Sequence, residues 1–192
     1  IYSFKNLDKL CNFLHLPVQA GSSRVLKMMN RKYTREDYLR KIDKVKSLNP
    51  NIALSTDIMV GFPGESEEDF LDTLDLVKKV EYDTAFTFIY SVRENTPAAN
   101  MTDQVPDKVK HDRFERLLDV LYPIQERKNK AFIGKDVDVL VEDISKKNEN
   151  KVSGRTDEFK LVNFKGDKND VGNIVKVRIK DANSFSLVGE KI

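Results

Sequence analysis

The sequence is poor in the residues that usually declare a function outright. It has one cysteine, Cys11, no tryptophan, eight glycines and six prolines in 192 residues. A lone cysteine excludes an internal disulfide and suits a reducing cytoplasm. No apolar run approaches the length of a membrane span, and no signal peptide opens the chain. A cytoplasmic protein with no membrane partner is therefore expected. An excess of one charge is lacking too. The 33 Lys and Arg residues face 31 Asp and Glu, a formal +2, so composition gives almost no push towards nucleic acid.

What is present fits a globular protein, with 40% hydrophobic and 33% charged residues. The length allows one large domain, or one medium and one small. The chain starts with Ile1 rather than Met, so a piece of a longer protein is expected. Ile1 to Lys9 lacks periodicity and reads as the incoming end of an element.

The most organised stretch is Leu54 to Ser66. Ile58, Met59 and Val60 form a short apolar run, as in a strand covered on both faces. Gly61 and Gly64 bracket Phe62-Pro63, which is turn chemistry. Ser66-Glu67-Glu68-Asp69 resembles a capping box with Asp in place of Glu or Gln. A strand feeding a helix through glycines is expected to leave backbone N–H groups free at the strand's C-terminal end, where α/β proteins place ligands. The bland alternative is a tight βα turn and nothing more.

Leu10 to Gln19 predicts a strand ending near Pro17, and Gln19-Ala20-Gly21-Ser22-Ser23 a polar turn. His15, in an apolar run, is either a ligand or a packed core residue. Gln19 and Ser22 are suited to hydrogen-bond a sugar, or else only satisfy the turn's own backbone. Ser22 or Ser23 can cap a short helix carrying Val25, Leu26 and Met29. Arg31, Lys32 and Arg35 can offer a fork to a carboxylate or phosphate, against the default of a solvated face. Thr34 caps an amphipathic helix to Leu48 with Leu39, Ile42, Val45 and Leu48 at helical spacing. Phe70, Leu71, Leu74, Val77 and Val80 form the expected buried stripe of the next helix, and Thr84 to Tyr90 a third strand.

Strands alternating with helices imply βαβ units and a parallel sheet, with three strand ends on one side. Those ends carry Gln19 to Ser22, Gly61 to Gly64 and Tyr90 to Glu94. If the sheet curls into a barrel, all three line one mouth. Asp57 is the one carboxylate among the apolar neighbours of the central strand. It either reaches a ligand or is paired inside the barrel. A long helix opens at Val105-Pro106, and Pro123 is expected to kink or interrupt it.

After Gly134 the period changes to two. Val137, Val139 and Val141 alternate with Asp136, Asp138 and Glu142. Short strands follow at 152–155, 161–164, 174–179 and 185–188. Five short strands predict a small closed barrel of OB-like type. Arg155, Lys160 and Phe164 place basic and aromatic groups on adjacent strands, a combination that can grip single-stranded nucleic acid. A protein-binding or purely structural barrel accounts for the same pattern.

Several linked motifs together resemble a known family. Leu14-His15-Leu16-Pro17-Val18-Gln19-Ala20-Gly21-Ser22, Met28-Met29-Asn30-Arg31-Lys32-Tyr33-Thr34-Arg35 and Thr56 to Glu65 are similar to the radical S-adenosylmethionine (radical-SAM) methylthiotransferases. Phe86 to Ser91, Thr96-Pro97-Ala98-Ala99, Ser153 to Thr156 and Lys160 to Phe164 point to the MiaB branch, which methylthiolates N6-isopentenyladenosine beside the tRNA anticodon. The related enzymes acting on N6-threonylcarbamoyladenosine, and a non-catalytic RNA-binding fragment, are the alternatives.

The resemblance implies an α/β fold. Residues 1–128 would be the second half of a radical-SAM partial (βα) barrel, and 129–192 a TRAM β-barrel domain that binds RNA. It implies S-adenosylmethionine as cofactor and two four-iron, four-sulfur clusters in the complete enzyme. There, the cleaved cofactor yields a 5′-deoxyadenosyl radical that takes hydrogen from adenine C2, and a methylated sulfur from the second cluster is transferred to that carbon. Cluster ligation needs several converging thiolates, and Cys11 alone provides no such set, so the chain has no catalytic or metal residues of its own. Gln19, Ser22, Arg31, Asp57, Gly61, Phe62 and Gly64 are the candidate cofactor contacts, and Arg155, Lys160 and Phe164 the RNA contacts. The implied partners are the tRNA anticodon stem-loop and the missing N-terminal half. Self-association through an exposed sheet edge is also expected. The sequence departs from the family in having Gln19-Ala20-Gly21-Ser22 for Gln-Ser-Gly-Ser, and Ser91-Val92-Arg93-Glu94-Asn95-Thr96 for Ser-Pro-Arg-Glu-Gly-Thr.

Overall fold

The computed structural model of the chain describes residues 7, 9–145 and 150–192. The reading of Ile1 to Lys9 falls almost wholly outside them. The chain forms two compact units. One holds His15–Pro50 and Leu54–Tyr122. The other holds Pro123–Ile192 with Asn51–Ala53 and the described residues before His15.

The first unit is built on a three-stranded sheet in the order β1 (Phe13–His15), β2 (Ala53–Val60), β3 (Thr84–Ile89). β2 and β3 are parallel, with Asp57 opposite Phe86 and Met59 opposite Phe88. β1 is shorter than expected. Past it the chain stays beside β2 through the Leu16 N–H on the Ser55 carbonyl and the Val18 N–H on Thr56 Oγ1, and the ladder resumes as a parallel bridge between Gln19 and Ile58. Gln19 sits at φ 71°, a conformation unusual for a non-glycine residue, and cannot extend a strand.

The central strand is not covered on both faces along its whole length. Ile58 and Val60 are fully buried, whereas Asp57 and Met59 alternate with them on a half-open face. Paired residues of a sheet share a face, so Phe86 and Phe88 lie on the same side and are 55% and 49% exposed.

Three α-helices flank this sheet, and each follows from local chemistry. α1 (Ser23–Met28) is capped by Ser22, whose Oγ accepts from the Val25 N–H. α2 (Arg35–Leu48) and α3 (Glu67–Val80) both start in full capping boxes, Thr34 with Asp37 and Ser66 with Asp69. Tyr38, Ile42 and Val45 form the buried face of α2. Leu71 lies off the α3 stripe, exposed, and Thr73 and Leu76 join Phe70, Leu74, Val77 and Val80 inside.

α4 (Asp107–Lys130) runs unbroken through Pro123, so of the expected kink or interruption the interruption does not occur. The carbonyl that loses its donor belongs to Asp119. Both Asp119 and Pro123 are exposed, so water can satisfy that carbonyl.

In the second unit a closed barrel has the order β4 (Asp136–Ile144), β5 (Lys151–Arg155), β6 (Leu161–Lys165), β8 (Leu187–Lys191), β7 (Ile174–Ala182). Its pairs are antiparallel except β6 with β8. Closure removes the edges that would otherwise recruit other strands. The period-two pattern sends Val139, Val141, Val152, Val162, Phe164, Val177, Ile179 and Leu187 inward to one core. Phe164 is its largest member and is 2% exposed. Phe164→Ala is expected to destabilise the barrel by about 3–5 kcal/mol in urea unfolding followed by circular dichroism. Phe185→Ala, at a surface position, should change it by less than about 0.5 kcal/mol.

Candidate functional site

A cleft of about 380 Å³ opens at the C-terminal ends of β2 and β3. Gln19 lines it from the first turn, Asp57 and Met59 from β2, and Phe62 from the glycine turn. Tyr90, Ser91 and Arg93 close it after β3. The three chain ends that the alternation of strands and helices brought to one side thus share one cavity. Its wall is apolar at Met59, Phe62, Phe88 and Ile89, with a few polar groups among them, the usual make-up of a small-molecule site. Phe62 meets Tyr90 edge to face at 5.4 Å between ring centroids. The Tyr90 hydroxyl is buried and has no hydrogen-bond partner among the described residues.

The glycine turn is held from behind. Gly61 and Gly64 adopt φ 74° and 77°, which suits glycine. Their N–H groups are not left for a ligand as expected. Gly61 donates to Glu65 Oε1 at 2.9 Å, and Gly64 donates to the Asp103 carbonyl at 2.8 Å. Neither glycine lines the cleft. Glu65 is buried against Arg113, whose Nη1 donates to Glu65 Oε1 at 2.9 Å and to its carbonyl at 3.1 Å. Burial pushes the Glu65 carboxyl up, and the Gly61 N–H and Arg113 oppose that shift. The Lys110 side chain packs where a Gly61 Cβ would stand, 2.4 Å from its Cγ.

Ser22 and Arg31 depart from their expected places. Ser22 is buried and its Oγ donates to Asp69 Oδ1 at 2.6 Å, so its hydroxyl serves α1 and α3 rather than the cleft. Arg31 is exposed and lies outside the cleft wall. Of the nearby cations it is Arg35 that is drawn inward. Its guanidinium donates to the Gly21 carbonyl at 3.0 Å and also bonds the Asp72 carbonyl and the Asp75 carboxylate. Gly21 itself must stay bare, because a Cβ there would stand 2.4 Å from Thr73 Cα.

His15 is neither isolated nor packed in the core. Its Nδ1 lies 2.7 Å from Ser55 Oγ and its Nε2 3.6 Å from Asp57 Oδ1. Asp57 therefore faces both the cleft and a histidine. Met59 and Phe88 were missed as wall residues. Their signal was the two-residue step from Asp57 and its cross-strand partner, hidden by the apolar run around them.

In the barrel, two expected RNA contacts are corrected. Phe164 is core, and Lys160 is 4% exposed with its N–H bonded to Thr156 Oγ1 at 3.2 Å. A buried ring offers no face for a base to stack on, and a buried ammonium is withheld from phosphate. Arg155 remains half-exposed at the β5–β6 turn, its guanidinium 4.6 Å from the Phe159 ring centroid and 3.5 Å from Glu142 Oε2. Phe159, at φ 61° and exposed, is the aromatic that the pattern missed. It sits in the turn, outside the strand alternation.

A model of the radical SAM superfamily matches residues 3–77, and a model of the TRAM domain matches residues 130–192. β1, β2 and the glycine turn lie within the radical SAM match, and the closed five-strand barrel lies within the TRAM match. Over all 192 residues the chain is 60% identical to the tRNA-2-methylthio-N(6)-dimethylallyladenosine synthase of Clostridium botulinum (strain Hall). It is 58% identical to the protein of the same name from Clostridium tetani and 54% to that of Thermoanaerobacter sp. (strain X514). With a radical SAM segment followed by a TRAM domain, the chain is thus similar over its whole length to part of these MiaB-type methylthiotransferases. It spans 43%, 42% and 41% of the length of these three relatives. Among the described residues no helix is long and apolar enough to cross a membrane.

Asp69 ties the two turns of the unit together. It accepts from Ser22, from the Ser66 N–H at 2.8 Å and from Arg24, which also donates to the Gly64 carbonyl. Burial alone would raise the Asp69 carboxyl. The hydrogen bonds from Arg24, Ser22 and Ser66 outweigh it and hold the group well below the usual range. The stability Asp69 lends is therefore whole at neutral pH. It is lost as pH falls below the unfolded value of about 3.9 and on through the lower folded one. Asp69→Asn should cost about 1–3 kcal/mol at pH 7. In urea unfolding at pH 7, 4 and 2, the gap between wild type and variant should close towards acid; a gap that stays constant would rule out this role.

Proposed function

We propose that the complete protein is a methylthiotransferase acting at C2 of N6-isopentenyladenosine beside the tRNA anticodon. This chain supplies part of the S-adenosylmethionine cleft and the RNA-binding barrel. The observation that carries the reading is the single cleft made by three chain ends of the family's own motifs, in one chain with a closed TRAM barrel. The names of the relatives agree with it.

The residues fit S-adenosylmethionine. Phe62, Met59 and Phe88 offer an apolar wall for the adenine ring. Gln19, Asp57 and Ser91 offer partners for ribose hydroxyls or the amino group, and Arg93 a cation for the carboxylate. Gly61, Gly64 and Ser22 act behind the wall by fixing the turns, and Arg31 is left without a part in it. Bound there, the cofactor supplies the hydrogen-abstracting group of the reaction. The chain's own work is to orient it and to exclude water. The clusters do not fit: the chain's single thiol, Cys11, is exposed, and four iron atoms need several converging thiolates. In this reading the rest of the complete protein provides them.

The working division of the chain is 1–128 and 129–192, supported by the start of the TRAM match at residue 130. Arg155 is the retained candidate for RNA contact. The setting is the cytoplasm, where tRNA and thiols in the reduced state are at hand.

The complete protein, assayed on tRNA carrying either modified adenosine, should methylthiolate the isopentenyl form. Turnover confined to the threonylcarbamoyl form would overturn the assignment. Binding of an anticodon stem-loop to the present chain should weaken steeply between 50 and 200 mM salt, on the order of tenfold or more. A salt-independent interaction would count against the barrel as an RNA grip.

Self-association is the remaining partner proposal. β3 has β2 as its one neighbour in the sheet, and Phe86 and Phe88 stand exposed beside that edge. Sedimentation velocity should show a mass that rises with concentration. A monomer throughout would refute this.

A further inference from the structure

His15 was ambiguous as a residue type, and its surroundings resolve the ambiguity. Ser55 is fully buried on β2, so its hydroxyl must find a partner inside. That partner is His15 Nδ1 at 2.7 Å. The bond fixes the plane of the imidazole and turns its other nitrogen towards Asp57, with Nε2 and Oδ1 3.6 Å apart. Phe86 holds the ring from β3, edge to face at 6.0 Å. Asp57 in turn lines the cleft.

We propose that His15 is a positioning residue for Asp57, and that the pair recognises the O–H or N–H donors of a nucleoside-type ligand in the cleft. The proposal rests on the nucleoside reading of that cleft. The two contacts together favour one tautomer. If the Ser55 hydroxyl donates to Nδ1, the ring proton sits on Nε2 and meets a carboxylate. The opposite tautomer would set a nitrogen lone pair against the carboxylate, which is repulsive. With the imidazole 3.6 Å behind one oxygen, within reach of a small closing movement, Asp57 keeps the rest of its acceptor capacity for a ligand. Arg93, the one cation among the cleft-lining residues, lies on the segment after β3.

Two measurements test this on the 192-residue chain. The first needs no ligand. Long-range proton–nitrogen spectra of the histidine-labelled chain should show His15 with its proton on Nε2, and Ser55→Ala should abolish that preference. A proton on Nδ1 in the wild type would overturn the proposal.

The second uses S-adenosylhomocysteine as probe in calorimetry. His15→Ala should weaken binding on the order of tenfold, the loss expected if the imidazole closes onto the Asp57 carboxylate as a hydrogen bond when the ligand is bound. His15→Gln, whose amide nitrogen can replace Nε2, should restore most of it. His15→Asn, which reaches only the Ser55 side, should not. Asp57→Asn combined with His15→Ala should be no weaker than Asp57→Asn alone, since both act through one group. Equal rescue by Gln and Asn, or independent losses, would overturn it. A wild-type chain that binds no S-adenosylhomocysteine would defeat the nucleoside reading, while the ring-nitrogen spectra would still decide the placement of His15.

Discussion

The buried carboxylate of Glu65 is the constraint on which the cleft depends. A carboxylate withdrawn from water is costly unless hydrogen bonds and an opposite charge replace its hydration. Here the Gly61 N–H and the Arg113 guanidinium do so. One group thereby joins the end of β2, the start of α3 and the first half of α4. With the turn fixed at both ends, Phe62 has little freedom, and it is Phe62 that forms the wall. Asp69 does the same service one turn further on, joining Ser22, Arg24 and Ser66.

This arrangement gives the backbone donors of the glycine turn a role different from the obvious one. Glycine N–H groups at a strand end would ordinarily be read as ligand donors. In this chain both are spent on Glu65 and on the Asp103 carbonyl. The polar groups that line the cleft come instead from the strand itself, at Asp57, and from the flanking turns, at Gln19 and Ser91. The rigid support and the cleft lining are thus separate sets of residues, the division by which a wall keeps its geometry.

The barrel obeys a simpler rule. Its core is made mostly of valines, joined by Ile179, Ala182, Leu187 and the buried ring of Phe164, and its closure leaves no edge among the described strands. A small barrel with so few large side chains relies on each of them. The aromatic and basic residues that alternate along β5 and β6 therefore divide by parity. Phe164 points inward and Arg155 is half-exposed, while Lys160 is buried in the turn that joins them.

The sequence by itself determined the elements and their class. Helical spacing and capping boxes set α2 and α3, and period two set the barrel strands, because these are local rules acting over a few residues. The linked motifs gave the family, and their order placed three strand ends on one side. Tertiary structure alone decided which face each residue met. Met59 joined the wall because its strand register set it beside Phe88. Arg35, not Arg31, was drawn in because Gly21 and α3 offered it carbonyls. His15 acquired a partner because a serine forty residues away was sealed from water. Such outcomes depend on burial and on contacts between distant segments, and neither is written in local spacing.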